Sequence, residues 1–541
     1  MRGTCLAKAF AAAAATLILI AIPPVFAQES LDLGPVHIDV QNAAETDWAI
    51  STAGKNNVFN NNSTLGIHCP SEGHNAFGCG LSTNGNSFNI VAFRYDGLLN
   101  GRISSDTAEM FGLDNWDFFV HARTWTNIAP YVDGDMPTIP EDKYMQRYPG
   151  DAWTATVAEN EWELDAAEAY TDLRKGRLWV RLGKQQMVYG EELGFQVLDA
   201  IDSLDFRRHS LFNYSGLEFS DARIGTWAAR ATYDVGDYLE PFGIHRSRVT
   251  GYISEFQPDV LMPAGQAYNT TPAAFAITPL NGITRARHHL AYGAIVEWSM
   301  LNLDWSFNFY SHPERTGVFS QAPFPYTFAP GPGGIFPGPA SFGCTPGTPC
   351  NLMLTARYPQ EFIYGGMVSY MIQPIYTFPG ADIFNGDIVR FSGTYTPNKT
   401  LQTATLGVKR MGDLNLAADV EKDYRWTEKL PSMYILAEYN YRSASPIFLD
   451  SWLRNNGDHM FNLFLLSLSQ PLPLARWTLV NVVESEANHN FSWFDQPAVV
   501  YKPTSSQEYD AFWNFATGTL ASQFGPDQFS DEFVLRAIYK F

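Results

Sequence analysis

Residues 532–541, EFVLRAIYKF, place Phe533, Leu535, Ala537, Tyr539 and Phe541 on one face of an extended chain and Val534, Arg536, Ile538 and Lys540 on the other. Successive strand side chains point to opposite faces, so this period of two predicts a strand with one apolar face. The pattern recurs along the chain. Leu301, Leu303, Trp305, Phe307 and Phe309 alternate with Asn302, Asp304, Ser306, Asn308 and Tyr310. Met433, Ile435, Ala437, Tyr439 and Tyr441 alternate with Tyr434, Leu436, Glu438, Asn440 and Arg442. Val389, Phe391, Gly393 and Tyr395, then Leu290, Tyr292, Ala294, Val296 and Trp298, give further apolar faces, and Trp227, Ala229, Ala231 and Tyr233 alternate with Ala228, Arg230, Thr232 and Asp234.

In water each apolar face would need a covering layer, and few long amphipathic helices are predicted to supply one. In a bilayer the apolar faces meet lipid, and closing the sheet removes its edges. The expected fold is therefore all-β: a transmembrane antiparallel β-barrel of about 16–18 strands, with long loops and a short, partly helical insertion. The last strand, ending on Tyr539 and Phe541, resembles the terminal strand by which Gram-negative outer-membrane barrels are recognised for assembly. Long irregular segments are expected at 53–85, 129–158, 256–286, 312–360 and 399–430; 53–85 and 312–360 are read as long extracellular loops. Residues 193–222 interrupt the alternation. Val197, Leu198 and Ile201 lie at helix spacing there, followed by Asp202, Asp205, Arg207, Arg208 and His209. A segment this polar does not face lipid; it lies either in the lumen, as a constriction or plug, or in a loop at the rim.

The first residues add a compartment. Arg2 and Lys8 precede an apolar, alanine-rich run that ends at Val25-Phe26-Ala27, so residues 1–27 read as a cleaved signal peptide, with an uncleaved anchor as the alternative. Residues 28–541 are then the barrel. Removing residues 1–27, with two basic and no acidic side chains, takes the net charge from −20 to −22, which argues against nucleic acid as a partner. Aromatics make up 14% of the chain, as interfacial belts require. Cys69 with Cys79, and Cys344 with Cys350, read as two local disulfides in an exported chain; zinc is the alternative for the first pair, which has His68 and His74 nearby.

The polar faces carry the candidate chemistry. Arg123, Arg181, Arg230, Arg248, Arg390, Arg442 and Arg536 are expected to line the pore, with Asp304, Glu297 and Glu438. They either set a field that selects polar or anionic solutes, or pair with carboxylates and hold the wall together. Glu191, Asp202, Asp205, Arg207 and Arg208 are the constriction candidates. Residues 181–192, RLGKQQMVYGEE, look like a phosphate loop but are not one: Leu178 and Gln185 stand where Walker A needs Gly and Ser or Thr. Here Leu178, Val180 and Leu182 would face lipid, Trp179 and Arg181 the lumen, and Lys184 would be an exposed or interfacial charge. No G-x-S-x-G or H-E-x-x-H occurs, so no enzyme, cofactor or metal is expected; a barrel lipase or palmitoyltransferase is the enzymatic alternative.

Four pieces carry a family resemblance: EAYTDL (168–173), VRLGKQQMVYGEE (180–192), LDAIDSLDFR (198–207) and DARIGTW (221–227). Their order and spacing resemble a large family of proteobacterial outer-membrane proteins often encoded near RND-type permeases. Tyr189, Asp202-Ser203 and Gly225 depart from its usual Trp, Asn-Pro and Pro. The G-[RK]-Q…G-E feature is also similar to the alginate-export barrel family, which passes an anionic polymer through an arginine-rich lumen. The first resemblance implies an outer-membrane channel or transport component for hydrophobic organic compounds or lipids; the expected function is passage of a small organic solute, hydrophobic or anionic, with a closed barrel partnering a periplasmic RND system and a polysaccharide exporter as the alternatives. Implied partners are outer-membrane lipid and lipopolysaccharide, the barrel-assembly machinery and periplasmic transport components.

Overall fold

The structure is a computed structural model. It describes residues 29–53, 88–129, 156–158, 162–190, 194, 197–205, 222–259, 275–279, 290–315, 317–321, 352–372, 386–402, 408–443, 461–473, 476–487, 491–518 and 522–541. The four cysteines of the expected disulfides, Glu191, Arg207, Arg208 and the expected signal peptide lie outside the described residues.

Eighteen strands form the wall: β1 (Val36–Ser51), β2 (Phe88–Ile103), β3 (Asn115–Asn127), β4 (Trp162–Lys175), β5 (Leu178–Gln185), β6 (Thr226–Asp234), β7 (Ile244–Glu255), β8 (Leu290–Met300), β9 (Leu303–Pro313), β10 (Gln360–Met371), β11 (Ile388–Gln402), β12 (Val408–Tyr424), β13 (Met433–Arg442), β14 (Phe461–Pro471), β15 (Trp477–Glu486), β16 (Ser492–Thr504), β17 (Gln507–Thr517) and β18 (Glu532–Lys540). Each pairs antiparallel with its sequence neighbours, and β18 pairs with β1 from Glu532↔Ser51 to Lys540↔Ala43, so the sheet closes. Closure satisfies the backbone of every strand without water, which a bilayer demands. Two short strands, Glu29–Leu33 and Thr156–Ala158, pair against β1 and β4 from one side.

The two ends of the barrel differ. Turns at 176–177, 301–302 and 505–506 mark one end; β1 and β2, β3 and β4, β5 and β6, β7 and β8, and β9 and β10 meet the longer connections at the other. We call these the turn end and the loop end. Outward faces carry exposed apolar side chains such as Leu182, Val249, Val296, Phe307, Phe391, Leu416 and Phe464. Inward faces carry buried polar ones, including Arg123, Asp165, Asp419, Glu438 and Arg536.

Three expectations are corrected. Leu301 is not a strand residue: with Asn302 it forms the β8–β9 turn, at φ of 58° and 62°. Most of the expected irregular segment 399–430 is regular: 399–402 end β11 and 408–424 form β12. Leu414, Leu416 and Val420 are outward and exposed there, while Asp413 and Asp419 are inward and buried, so a charged inner face had hidden a regular strand. Finally, segments 256–286 and 312–360 are not wholly irregular. Phe275–Pro279, Leu352–Arg357 and Val318–Gln321 form a three-stranded sheet between them, with one parallel and one antiparallel pairing.

Candidate functional site

The inner wall is built from ion pairs between neighbouring strands. Arg123 of β3 and Lys184 of β5 both reach Asp165 of β4, at 3.2 and 2.7 Å. Arg181 grips Asp172 through two hydrogen bonds of 2.8 Å. Arg248 grips Glu297 at 2.6 and 2.7 Å. Arg390 lies 2.8 Å from Asp419 and also pairs with Glu421, and Arg442 donates twice to Asp413, at 2.9 and 2.6 Å. Arg536 joins β18 to Asp47 of β1 at 2.7 Å, with Glu45 at 3.5 Å. Paired guanidinium and carboxylate groups neutralise one another and fix their strands in register. Six of the seven expected pore-lining arginines are committed in this way.

Arg230 is the exception. Its cross-strand neighbour is Arg181, whose charge is already taken up by Asp172. The Arg230 Cζ lies 5.0 Å from the Trp179 ring centre and 5.1 Å from that of Tyr189. Arg181 stacks at 3.7 Å on Tyr170 and at 5.0 Å on Trp179. Rings and guanidinium groups thus alternate along the inner face of β4, β5 and β6 and up to Tyr189. Arg230 has no carboxylate partner among the described residues, and its Nε is buried without a hydrogen bond.

Gly183 decides where Lys184 goes. Its φ is +134°, and a Cβ there would stand 2.2 Å from the Ala169 carbonyl oxygen. Only glycine adopts this conformation at so close an approach. The twist breaks the alternation, so Lys184 is 2% exposed and bound to Asp165 rather than being an exposed or interfacial charge. The strand ends at Gln185, four residues before Tyr189.

The connection that follows enters the lumen. Met187, Tyr189 and Ile201 pack with Tyr252 of β7, Ile295 of β8, Tyr310 of β9 and Ile363 of β10. These wall residues lie three to five positions inside their strands' loop ends, roughly 10–15 Å below the rim at ~3.3 Å per residue. Leu198 is wholly buried, 2.8 Å from the position a Cβ of Gly365 on β10 would take. The Gly194 N–H donates to Glu438 Oε2 on β13 at 2.9 Å. In the ring of eighteen, β13 stands eight strands from β5, nearly opposite.

Val197, Leu198 and Ile201 do not form the expected helix. Residues 197–202 turn, and Ser203–Leu204 bridges to Arg223–Ile224. The helix-like spacing instead buries all three apolar side chains, Ile201 in the cluster of tyrosine and isoleucine and Leu198 against Gly365. Polar groups pin the segment. Asp202 Oδ2 accepts the Met187 N–H at 2.7 Å; Asp199 accepts from Arg223 at 2.6 Å; the Asp205 N–H donates to the Ala222 carbonyl at 2.7 Å; and Arg315 donates to the Asp202 carbonyl oxygen. Burial, with Asp199 alongside, holds the Asp202 carboxyl well above the usual carboxylate range, and burial raises Asp199 too. Burial also lifts the Tyr189 hydroxyl to about 12.

Elsewhere, Asp304 accepts from Ser299 and lies 3.4 Å from Arg246 near the turn end. A cavity of about 250 Å³, lined in part by His37, Asp39, Asn100, Arg102 and Tyr170, opens on the inner wall toward the same end. Tyr539, Phe541 and Tyr95 cluster on the outer face, with ring centres 5.6 and 6.4 Å apart, and Phe541 exchanges two 2.8 Å backbone hydrogen bonds with Asn42 of β1. Among the described residues no three His, Cys, Asp or Glu side chains gather as a metal site needs. Sequence reasoning found the inward arginines but missed Trp179 and Tyr189 as their partners; the R-x-x-x-x-x-x-x-Y spacing within residues 181–189 gave no periodic signal.

Several solved barrels are similar in fold. OccAB3 of Acinetobacter baumannii is 8% identical over 93% of this chain and 99% of that chain, with a TM-score of 0.44. A BenF-like porin of Pseudomonas fluorescens Pf-5 is 8% identical over 94% of this chain and 98% of that chain, with a TM-score of 0.42. A loop L8 deletion mutant of OmpT, an outer membrane protein of Vibrio cholerae, is 9% identical over 94% of this chain and 100% of that chain, with a TM-score of 0.37. No curated protein matches the sequence. The family model of DUF1302, proteins of unknown function, matches residues 8–445, and the chain belongs to that family.

Proposed function

We propose that this protein is an outer-membrane channel for small organic solutes, narrowed by the segment between β5 and β6. The observation that carries the reading is the Gly194–Glu438 hydrogen bond, which ties that segment to the far side of a closed, polar-lined wall. A channel needs such a wall for passage and a constriction for choice. In this reading the turn end faces the periplasm, the loop end the exterior, and residues 1–27 are removed on export. Tyr539 and Phe541 are the residues we assign to recognition by the assembly machinery.

The paired arginines give little support to an arginine-lined path for an anionic polymer, since six of the seven already hold carboxylates. A second reading, a closed barrel that partners a periplasmic RND-type transport system, draws on the same crossing segment. Planar-bilayer recordings separate the two. The channel reading expects small discrete conductance steps, severalfold larger in Glu438→Ala, which removes the acceptor for Gly194. No steps from either protein, with barrel circular dichroism intact, sinks the channel reading in favour of the closed barrel.

A further inference from the structure

A guanidinium N–H buried with no acceptor loses its hydration and gains no hydrogen bond in exchange. Among the expected pore-lining arginines, Arg123 and Arg230 each leave Nε buried without an acceptor, but Arg123 still holds Asp165 through Nη2, whereas Arg230 holds no carboxylate among the described residues. Arg230 is half-buried, and two aromatic rings hold it in place without taking up its charge. The hydroxyls of its neighbours Tyr189 and Tyr252 are buried and lack hydrogen-bond partners among the described residues. Tyr252 is the cross-strand neighbour of Arg230 on β7, and the ring of Tyr310 lies 6.4 Å from that of Tyr252 and 6.5 Å from that of Tyr189. The site therefore offers one positive charge without a carboxylate partner, two uncommitted hydroxyls and flat apolar surfaces, at the place where the crossing segment meets the wall.

We propose that Arg230, with Trp179 and Tyr189 against it, binds the carboxylate of a solute with an aromatic or similarly planar body. The planar guanidinium fork matches a carboxylate in two hydrogen bonds, and its flanking rings favour a flat partner beside it. A monoanion is preferred over a phosphate ester, because Asp172 cancels Arg181 and leaves a single net cation locally. This deepens the channel reading and rests on a lumen that solutes can enter, but its test needs no conductance.

The test is calorimetric titration of the full-length protein, folded in detergent, with benzoate, acetate and benzyl alcohol. Wild type is expected to bind benzoate more tightly than either of the others. Arg230→Ala should weaken benzoate binding about tenfold, the loss of one charge-assisted hydrogen-bonded pair. Arg246→Ala, which removes an exposed arginine paired with Asp304 at the turn end, should leave it within about twofold. Heat-dependent gel mobility checks that each variant is folded; if Arg230→Ala does not fold, Arg230→Gln takes its place with the same expected loss. Equal binding of benzoate and benzyl alcohol, or unchanged benzoate binding in the Arg230 variant, overturns the proposal. Binding without conductance retains this site and removes the channel, whereas conductance without binding removes this site alone.

Discussion

At Gly183 the backbone conformation and the space around it both exclude a side chain. The φ of +134° is strained for any L-residue, and a Cβ would meet the Ala169 carbonyl oxygen at 2.2 Å and Tyr170 Cα at 2.7 Å. Strain of this kind costs about 1–3 kcal/mol, and forced overpacking adds about as much. Gly183→Val should therefore lower the urea midpoint of the barrel in lipid vesicles clearly, whereas Gly251→Val, with only Gly293 O at 4.0 Å, should lower it less. Equal midpoints would mean that β4 moves aside freely. Residue by residue, the sequence was informative about direction and silent about partners. Alternation put Arg123, Arg181, Arg230 and Arg442 inward, because a period of two needs no knowledge of the fold. Whether a carboxylate waits opposite depends on the register between strands, and one glycine was enough to send Lys184 to Asp165.

The segment between β5 and β6 shows where local patterns stop. Val197, Leu198 and Ile201 suggested a helix, but Ile201 clusters with Tyr252, Ile295 and Tyr310 and Leu198 meets Gly365, all 50 or more positions away in the chain. Apolar spacing records which residues are buried and not what buries them, so tertiary packing overrode propensity. The same packing makes the segment sensitive to pH. The folded Asp202 carboxyl titrates well above its ordinary value of about 3.9. Above that value the packed segment holds a proton that an opened one releases, so packing loses stability as pH rises through the window up to the folded value. The Met187 N–H, which donates to Asp202, reports this directly. Its hydrogen-exchange protection, corrected for intrinsic rate, should fall as pH rises above the ordinary carboxylate range, and the slope should flatten in Asp202→Asn. A slope unchanged by that substitution would locate the proton elsewhere.

Across the whole molecule, the ring depends on its last seam. Strands β2 to β17 are each adjacent to a strand next in the wall's sequence order, but β18 must find β1 across almost the full chain, at a high cost in loop entropy. Arg536 supplies a charge at that seam: it is 6% exposed, gripped by Asp47 and close to Glu45. Removing one partner of a buried pair strands the other, at about 3–5 kcal/mol. The Arg246–Asp304 pair, with both side chains more than half exposed, is the contrast within the same barrel, worth about 0.2–1 kcal/mol. Double-mutant cycles on vesicle-embedded protein should give a clear coupling energy for Arg536 with Asp47 and almost none for Arg246 with Asp304. Because β18 pairs last in sequence, Arg536→Ala should also slow the appearance of the heat-modifiable folded band, while Arg246→Ala leaves its rate unchanged. If the two cycles give the same small coupling, the backbone ladder from Glu532↔Ser51 to Lys540↔Ala43 closes the barrel by itself, and the buried charges only fill its inner wall.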